Sequence, residues 1–244
     1  MIFEPKLESA TLSKRYKRFL ADVCHPILGD ITVHCPNTGS MKNCWQAGWQ
    51  VWLQKSENTK RKYPYTWVLA QNEQNDWIGI NTQLANQLVF EALQENKISE
   101  VKDIAKIDKE VKYGQENSRI DILLTHNEPG IHGEPLKTYI EVKSVTLKED
   151  DGRGLFPDAV TTRGQKHIRE LIHCAEHGDN AVLFFLVQHT GIKSVEIAEQ
   201  IDPEYAKILR EAISKGVKVI AYGTSINEQQ ITLQSKIDFS LHES

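Results

Sequence analysis

Residues 137–147 read KTYIEVKSVTL, and residues 118–124 read SRIDILL. Both runs have the apolar content of strands, and successive side chains of a strand point to opposite faces. Glu141 and Lys143 therefore share one face. If the two strands are neighbours, Asp121 joins them, and two carboxylates and an ammonium group converge on one spot.

Two acids and a lysine are the groups that hydrolysis of a phosphodiester requires. Carboxylate oxygens hold hard divalent cations such as Mg²⁺ or Mn²⁺, and an ammonium group orients water or stabilises developing charge. The faces that carry these acids also carry bulky apolar residues, and a partly buried acid is costly without a compensating cation or hydrogen bond. A plain salt bridge from Lys143 to Glu141 or Asp121 is the alternative interpretation.

The surrounding residues predict an α-β-β-β-α-β order of elements. An apolar stripe with helical spacing runs from Asn81 to about Asn96. A strand, helix, strand order predicts a parallel pair of strands, because the connection must cross over the sheet. The later elements are predicted at residues 109–113, 118–125 and 137–147 (strands), 161–177 (helix), 181–187 (strand), 203–215 (helix) and 217–222 (strand).

Two further polar residues are predicted to approach the acids. Glu91 falls on the edge of the apolar stripe of the first helix, where it would face the sheet or, alternatively, reach solvent. Gln165 continues the buried face of the helix predicted at 161–177, so it points toward the sheet.

The first 80 residues are predicted to form a separate small β-barrel. Short β-prone runs alternate there with Gly, Pro, Asn and Ser, and no long helical pattern interrupts them. An OB-like barrel suits this arrangement. The predicted domains are residues 1–80 and 81–244, and the β-prone runs lie at residues 19–23, 29–34, 49–53 and 66–70.

The net charge of −4 conceals an uneven distribution of charge. Residues 1–80 contain ten Lys and Arg against seven Asp and Glu, whereas the rest contains nineteen against twenty-six. Basic residues alternate with aromatic residues at 14–19 and 60–65, and cations neutralise phosphates while aromatic rings stack on bases. A solvated strand rim is the alternative. The residues predicted to contact DNA in this region are Arg15, Lys17, Arg18, Arg61 and Tyr65.

Several longer strings carry a resemblance to known proteins. The element order, with an acid on the second strand and Glu-x-Lys on the third, resembles the PD-(D/E)xK nuclease superfamily. Nearly the whole chain resembles the bacterial and archaeal sugar fermentation stimulation protein A family. The strings that carry this resemblance are RYKRF at 15–19, CPNTGSM at 35–41, IEVKSVTL at 140–147 and FPDAVTTRGQKH at 156–167.

The resemblance implies an α/β (α+β) fold, in which an OB-like barrel precedes a nuclease-like domain with a mixed sheet. It also implies DNA binding and a regulatory role in sugar (maltose) metabolism. The superfamily pattern implies Mg²⁺ or Mn²⁺ as the cofactor and Lys143 as the residue that positions the attacking water. The implied catalytic residues are Asp121, Glu141, Lys143 and Gln165, and the implied metal ligands are Asp121, Glu141, the carbonyl of Val142 and Glu91.

The predicted helix start also carries basic residues. Arg163, Lys166 and His167 would meet a phosphate there with help from the helix dipole, and a solvated helix start is the alternative.

Two classes of function stay open on the sequence alone. The first is a DNA-binding regulator built on a nuclease-like fold, and the second is a metal-dependent deoxyribonuclease. A small-molecule enzyme is disfavoured, because Gly152-Arg153-Gly154 is too short to form a phosphate-cradling loop. No signal peptide and no apolar run of the ~20 residues that a membrane helix needs are recognisable. We therefore predict a cytoplasmic protein without a membrane partner, and a homodimer is an assembly left open.

Overall fold

The computed structural model describes residues 1–114, 118–131 and 133–241. Strands predominate over helices in these ranges. The strands of residues 8–79 form one sheet, and the strands that follow form two others. The predicted fold class, an OB-like barrel followed by a mixed α/β domain, is confirmed.

The N-terminal sheet closes on itself. Its strands follow the order β3-β2-β1-β4-β5-β6, and a pairing of His34 with Thr66 joins β3 to β5, which closes a five-stranded barrel. Closure pairs strand edges that would otherwise be exposed. The strands are β1 (Glu8–Tyr16), β2 (Leu20–His25), β3 (Gly29–His34), β4 (Gln50–Lys55), β5 (Tyr65–Gln71) and β6 (Trp77–Gly79).

Strand β1 is a barrel strand that the sequence patterns did not predict. Only Ala10 and Leu12 of its nine residues are buried. The other side chains are polar or charged, so the strand lacks the continuous alternation of apolar and polar residues by which the other strands were predicted.

The rest of the chain forms an α-β-β-β-α-β arrangement with additions, as predicted. None of the helices in the described ranges is both long and apolar enough to cross a membrane. The elements are α1 (Gln83–Gln94), β7 (Ile104–Tyr113), β8 (Ser118–Pro129), β9 (Pro135–Val145), β10 (Leu147–Lys148), β11 (Arg153–Phe156), α2 (Thr162–Glu176), β12 (Asn180–Val187), β13 (Ser194–Ile197), α3 (Pro203–Ser214), β14 (Lys218–Ile226), β15 (Ile231–Lys236) and β16 (Asp238–Ser240).

The larger C-terminal sheet is mixed. Its order is β15-β14-β12-β9-β8-β7, and β12 is parallel to both of its neighbours, β9 and β14. Helices α2 and α3 lie between these parallel strands in the chain, because a parallel connection needs a crossover. The outer pairs, β14–β15, β9–β8 and β8–β7, are antiparallel. A smaller sheet has the order β10-β11-β13-β16.

Both faces of the larger sheet are covered. Phe184 of β12 packs in one apolar cluster with Leu88 of α1, and Phe185 packs in another with Leu171 of α2 and Leu209 of α3. A strand covered on both sides reads as a continuous apolar run. This burial explains the sequence AVLFFLV at residues 181–187.

Strand β6 joins the barrel to the C-terminal part. Ile78 forms a β-bridge with His189, and the N–H of Gly79 donates to the carbonyl of Gln188 at 2.7 Å. The side chain of Gln188 in turn accepts from the hydroxyl of Ser144 on β9 at 2.8 Å. Gln188 therefore links the barrel to the strand that carries Glu141.

We predict that Gly79→Ala weakens this junction. A Cβ at Gly79 would lie 2.9 Å from Nε2 and 3.0 Å from Cβ of Gln188, and the latter moves only with the backbone. The free energy of unfolding should fall by about 1–3 kcal/mol, measured by urea denaturation. Gly223→Ala is the control, since its nearest contact would lie at 3.7 Å. Equal stability of the two variants would contradict the tight approach at Gly79.

Candidate functional site

The candidate site lies where strands β8 and β9 separate. Their backbone pairing begins at Ile122 and Ile140. One residue before that pair on β8, Asp121 accepts a hydrogen bond through Oδ2 from the backbone N–H of Val142 at 2.8 Å. Its Oδ1 accepts from the side-chain amide of Asn86 on α1 at 2.8 Å. The Asp121 carboxylate therefore binds the backbone of the neighbouring strand and is held in one orientation.

Glu141 carries its carboxylate into the protein interior, where the residue is 2% exposed. Its Oε1 accepts from the ammonium group of Lys143 at 2.6 Å and also contacts Nδ1 of His167 on α2. Its Oε2 is buried and has no hydrogen-bond partner among the described residues. A buried polar atom without a partner is costly, so a cation or a donor would stabilise this oxygen.

The two carboxyl groups titrate differently. Burial raises the pKa of Asp121 to about 6, and the negative charge of Glu141 contributes to the rise. Burial also acts to raise the pKa of Glu141, but the positive charge of Lys143 and the hydrogen bond from His167 outweigh it and lower that pKa. Glu141 is thus ionised at neutral pH, and its charge opposes the ionisation of Asp121.

Two buried phenols add to the enclosure. The hydroxyls of Tyr113 and Tyr205 are buried and find no hydrogen-bond partner in the described ranges. Burial raises the pKa of both groups, and the charge of Glu141 raises it further. The two phenols are therefore neutral and do not balance the charge of Glu141, which Lys143 offsets.

The donor set fits a hard divalent cation. Asp121 and Glu141 offer carboxylate oxygens, and Oε2 of Glu141 is left without a partner by the described residues. Within those residues no group of three or more His, Cys, Asp and Glu is placed to hold a metal ion. Mg²⁺ is commonly bound through one or two carboxylates, with water and phosphate oxygens completing its coordination. Two protein carboxylates are therefore a sufficient anchor.

The structure brings Asp121, Glu141 and Lys143 together, as the strand alternation predicts. Val142 also belongs to the site, and the atom that is engaged there is its backbone N–H, which binds Asp121. Gln165 takes a different partner, because its amide donates to both carboxylate oxygens of Asp202 at 2.9 and 3.1 Å.

His167 is the α2 residue that reaches the acids. It lies four residues before Leu171, so it shares the buried face of the helix, and it is 6% exposed. This spacing was visible in the sequence, although the place of His167 near the helix start predicted a phosphate contact. Its imidazole instead contacts Glu141, and it lies 3.5 Å from the ammonium nitrogen of Lys143.

Glu91 does not reach the acids. Its carboxylate pairs with the amino group of Met1 at 3.4 Å, and Met1 is hydrogen-bonded to Ile231 on β15. Strand β15 lies at the opposite edge of the sheet from β8 and β7. Five helical positions separate Glu91 from Asn86, so the two side chains leave α1 in different directions. Asn86 is thus the α1 residue that contacts Asp121.

Two of the barrel residues predicted to contact DNA have internal roles. Tyr65 is buried at 5% exposure and its hydroxyl donates to Glu8, so its ring is not available for stacking on a base. The guanidinium of Arg15 donates to three backbone carbonyls, those of Arg18, Asn37 and Gly39, at 2.9–3.0 Å. Arg15 therefore supports the loops around it.

The remaining predicted cations differ in exposure. Lys17 and Arg18 are exposed at the turn between β1 and β2, where both have positive φ angles, and Phe19 beside them is 46% exposed. Arg61 is half-buried and donates to Thr66 at 3.2 Å. On α2, Arg163 is exposed and Lys166 is half-buried.

The β1–β2 turn is connected to α2 through hydrogen bonds. Arg15 links the turn to Gly39, and the next residue, Ser40, donates to the carboxylate of Asp158 at 2.8 Å through its hydroxyl and at 3.1 Å through its N–H. Asp158 lies four residues before the first residue of α2, Thr162. The basic turn and the helix start are thus tied to each other.

Comparison with known proteins agrees with this architecture. The family model described as the sugar fermentation stimulation protein RE domain matches residues 83–230, and the model of the SfsA N-terminal OB domain matches residues 14–80. The chain belongs to the sugar fermentation stimulation protein family. The predicted resemblance to this family is therefore confirmed.

Relatives within the family are similar over nearly their full length. A sugar fermentation stimulation protein homolog of Shewanella frigidimarina is 56% identical over 230 residues, covering 94% of this chain and 95% of the relative. A homolog of Aliivibrio fischeri is 50% identical over 242 residues, covering 99% of this chain and 100% of the relative. The solved structure of Pyrococcus furiosus SfsA in complex with Ca²⁺ shares the fold, with a TM-score of 0.83, 23% identity and 98% of each chain covered.

The raised pKa of Asp121 predicts a pH-dependent difference in stability. Ionisation of Asp121 in the folded state costs free energy, since its pKa there is about 6 against an ordinary 3.8. Below the pKa of Asp121 in the unfolded chain, this cost to the stability of the folded protein is absent. It grows as pH rises from that pKa to the pKa of Asp121 in the folded protein, and it is complete at higher pH. With metal removed by a chelator, the stability of Asp121→Asn relative to wild type should rise by on the order of 2 kcal/mol as pH increases from the unfolded pKa to pH 8, on top of a pH-independent cost, because the amide can accept only one of the two hydrogen bonds that the carboxylate accepts.

Urea unfolding at several pH values measures this difference. Asp30→Asn, at an exposed position of the barrel, is the control and should show no such trend. A stability difference for Asp121→Asn that does not change with pH would refute the predicted shift.

Proposed function

We propose that this protein binds DNA with little sequence preference and holds Mg²⁺ or Mn²⁺ between Asp121 and Glu141. The observation that carries the proposal is the buried Oε2 of Glu141, which lacks a hydrogen-bond partner among the described residues. The charge of the same carboxylate raises the pKa of Asp121. A divalent cation would bind Oε2 and would also favour ionised Asp121.

A family relative supports the choice of a hard cation. The solved structure of Pyrococcus furiosus SfsA is a complex with Ca²⁺. Ca²⁺, Mg²⁺ and Mn²⁺ share a preference for oxygen ligands. We extend this preference to the carboxylate pair of the present chain as part of the proposal.

The proposed DNA contact surface combines the β1–β2 turn with the start of α2. Lys17 and Arg18 offer exposed cations, Phe19 offers an exposed ring, and Arg163 offers a cation on the helix. Cations neutralise backbone phosphates without reading the sequence, and aromatic rings stack on any base. Because Arg15 and Asp158 tie the turn to the helix, we propose that both contact the same DNA molecule.

The role in the cell is proposed from the family name. A DNA-binding member of a family named for sugar fermentation would act as a regulator of sugar (maltose) metabolism. A cytoplasmic location, which rests on the sequence alone, and a homodimer are further proposals.

Hydrolysis of DNA is the second candidate function, and Lys143 favours it. The ammonium group of Lys143 lies 2.6 Å from Glu141 Oε1 and is 15% exposed, so it is fixed next to the proposed cation. It would orient a water molecule toward a phosphate held at the carboxylates. The cation, when bound, would polarise the phosphate and lower the pKa of bound water. The protein would then be a Mg²⁺- or Mn²⁺-dependent endo- or exonuclease.

We predict that Lys17→Ala combined with Arg18→Ala weakens DNA binding and flattens its dependence on salt. The slope of log K against log salt should fall by about 0.7–0.9 for each phosphate that the variant no longer neutralises, as measured by fluorescence anisotropy with DNA of several sequences. The control is Lys97→Ala combined with Lys106→Ala, which removes two exposed cations outside the barrel. An unchanged slope in the first variant would remove the turn from the proposed surface.

The two candidate functions separate in a cleavage assay with supercoiled, linear and single-stranded DNA. If the protein is a nuclease, Glu141→Gln should lose both Mn²⁺ binding and cutting. Lys143→Met should still bind Mn²⁺, although more weakly because one donor to Glu141 Oε1 is lost, while its cutting rate at saturating Mn²⁺ falls by about 10²–10⁴-fold. Lys137→Met, on the same strand, is the control. DNA binding without cutting by the wild-type protein would favour the regulator.

A further inference from the structure

His167 links three charged side chains. Its Nδ1 contacts Oε1 of Glu141 and lies 3.5 Å from Nζ of Lys143, while its Nε2 lies 3.4 Å from Nε of Arg163. The imidazole is buried, with its side chain 7% exposed. Both ring nitrogens are therefore engaged, and each faces a group of fixed charge.

The donors around the ring determine which nitrogen carries the proton. The guanidinium of Arg163 carries only donors, and its Nε donates to Nε2 of His167 at 3.4 Å, so Nε2 is the acceptor. The proton of a neutral imidazole then lies on Nδ1, which donates it to Oε1 of Glu141. Lys143 cannot donate to a protonated Nδ1, and its ammonium group accordingly lies 2.6 Å from Oε1.

In this arrangement one carboxylate oxygen of Glu141 accepts two hydrogen bonds and the other accepts none from the described residues. Oε1 accepts hydrogen bonds from His167 and Lys143, whereas Oε2 accepts none from the described residues. The terminal torsion of a glutamate side chain otherwise adopts a broad range of angles. Because two donors bind Oε1, they fix the angle of this torsion and thereby the direction of Oε2.

Helix α2 is held by contacts of its first turns. The side chain of Thr161 caps its first turn by accepting from the N–H of Gly164 at 3.0 Å. Gln165 is bound to Asp202, the capping residue of α3. Ile168, the residue after His167, is fully buried. The imidazole therefore approaches Glu141 from a helix whose start is capped and packed.

We infer that His167 is a positioning residue that turns Oε2 of Glu141 toward the cation, and that Arg163 selects the ring tautomer that makes this possible. The inference rests on the proposed function and adds to it a role for two residues of α2. Hydrogen-bonding partners of metal ligands tune metal affinity and activity by about 10–100-fold. A histidine that holds a ligand in place thus has a measurable effect on binding, even without touching the cation.

Isothermal titration with Mn²⁺ tests this role. His167→Ala removes the donor to Glu141, and the dissociation constant should rise by about 10–100-fold. His167→Asn places an amide N–H near the position of Nδ1 and should restore most of the affinity, although it has no imidazole. His177→Ala, an exposed position at the end of the same helix, is the control and should bind as wild type does. Thermal unfolding shows whether each variant is folded.

The outcomes distinguish the role of His167 from the proposed function. Wild-type protein that binds no Mn²⁺ would overturn the proposed metal site itself. Equal affinity of wild type and folded His167→Ala would overturn only the positioning role. Loss of affinity in both His167 variants would overturn it as well, since it would indicate that the imidazole is a ligand.

A second measurement needs no metal. In metal-free protein, the ¹⁵N chemical shifts of the His167 ring should show a protonated Nδ1 and an unprotonated Nε2, and Arg163→Ala should reduce the population of this tautomer. A proton on Nε2 in the wild-type protein, whether alone or together with one on Nδ1, would overturn the inference, whatever the result of the titration.

Discussion

The buried carboxylate of Glu141 is the constraint around which the C-terminal part of the protein is organised. A charge in an apolar interior is tolerated only where donors or cations compensate it. Strand β9 brings Lys143 to the same face, and α2 brings His167 to the same oxygen. The compensation is incomplete, because Oε2 has no partner within the described ranges. This unpartnered oxygen is the feature on which the proposed cation site depends.

The barrel contributes to this site through its attachment. Strand β6 is hydrogen-bonded to residues 188–190, and Ser40 binds Asp158 ahead of α2. These contacts connect the exposed β1–β2 turn to the segment that leads into the helix with Arg163 and His167. Arg15 has the central role in this attachment, since it binds carbonyls on both the turn and the adjoining loop. Its charge is used to organise the backbone.

Sequence patterns gave correct predictions where a single periodicity, that of a strand or of a helix, decides which residues share a face. Alternation along β8 and β9 placed Asp121, Glu141 and Lys143 together, and the apolar stripe of α1 located that helix to within a few residues. The patterns gave wrong predictions where the hydrogen-bond partners of a side chain come from distant parts of the chain. Arg15 and Tyr65 belong to a basic and aromatic composition that is typical of DNA-binding surfaces, but their partners come from other strands and loops.

The sequence by itself therefore determined the α-β-β-β-α-β core, a small N-terminal barrel, the family and the convergence of two acids with a lysine, but not barrel strand β1 or the pairing that closes the barrel. Local alternation and helical spacing, together with family-specific strings, contain that information. Only the tertiary structure decided that Asn86 contacts Asp121 in place of Glu91, and that His167 contacts Glu141 in place of Gln165. The rotation of a helix about its axis is set by the packing of its whole apolar face against a sheet, and a difference of two positions turns a side chain by about 200°.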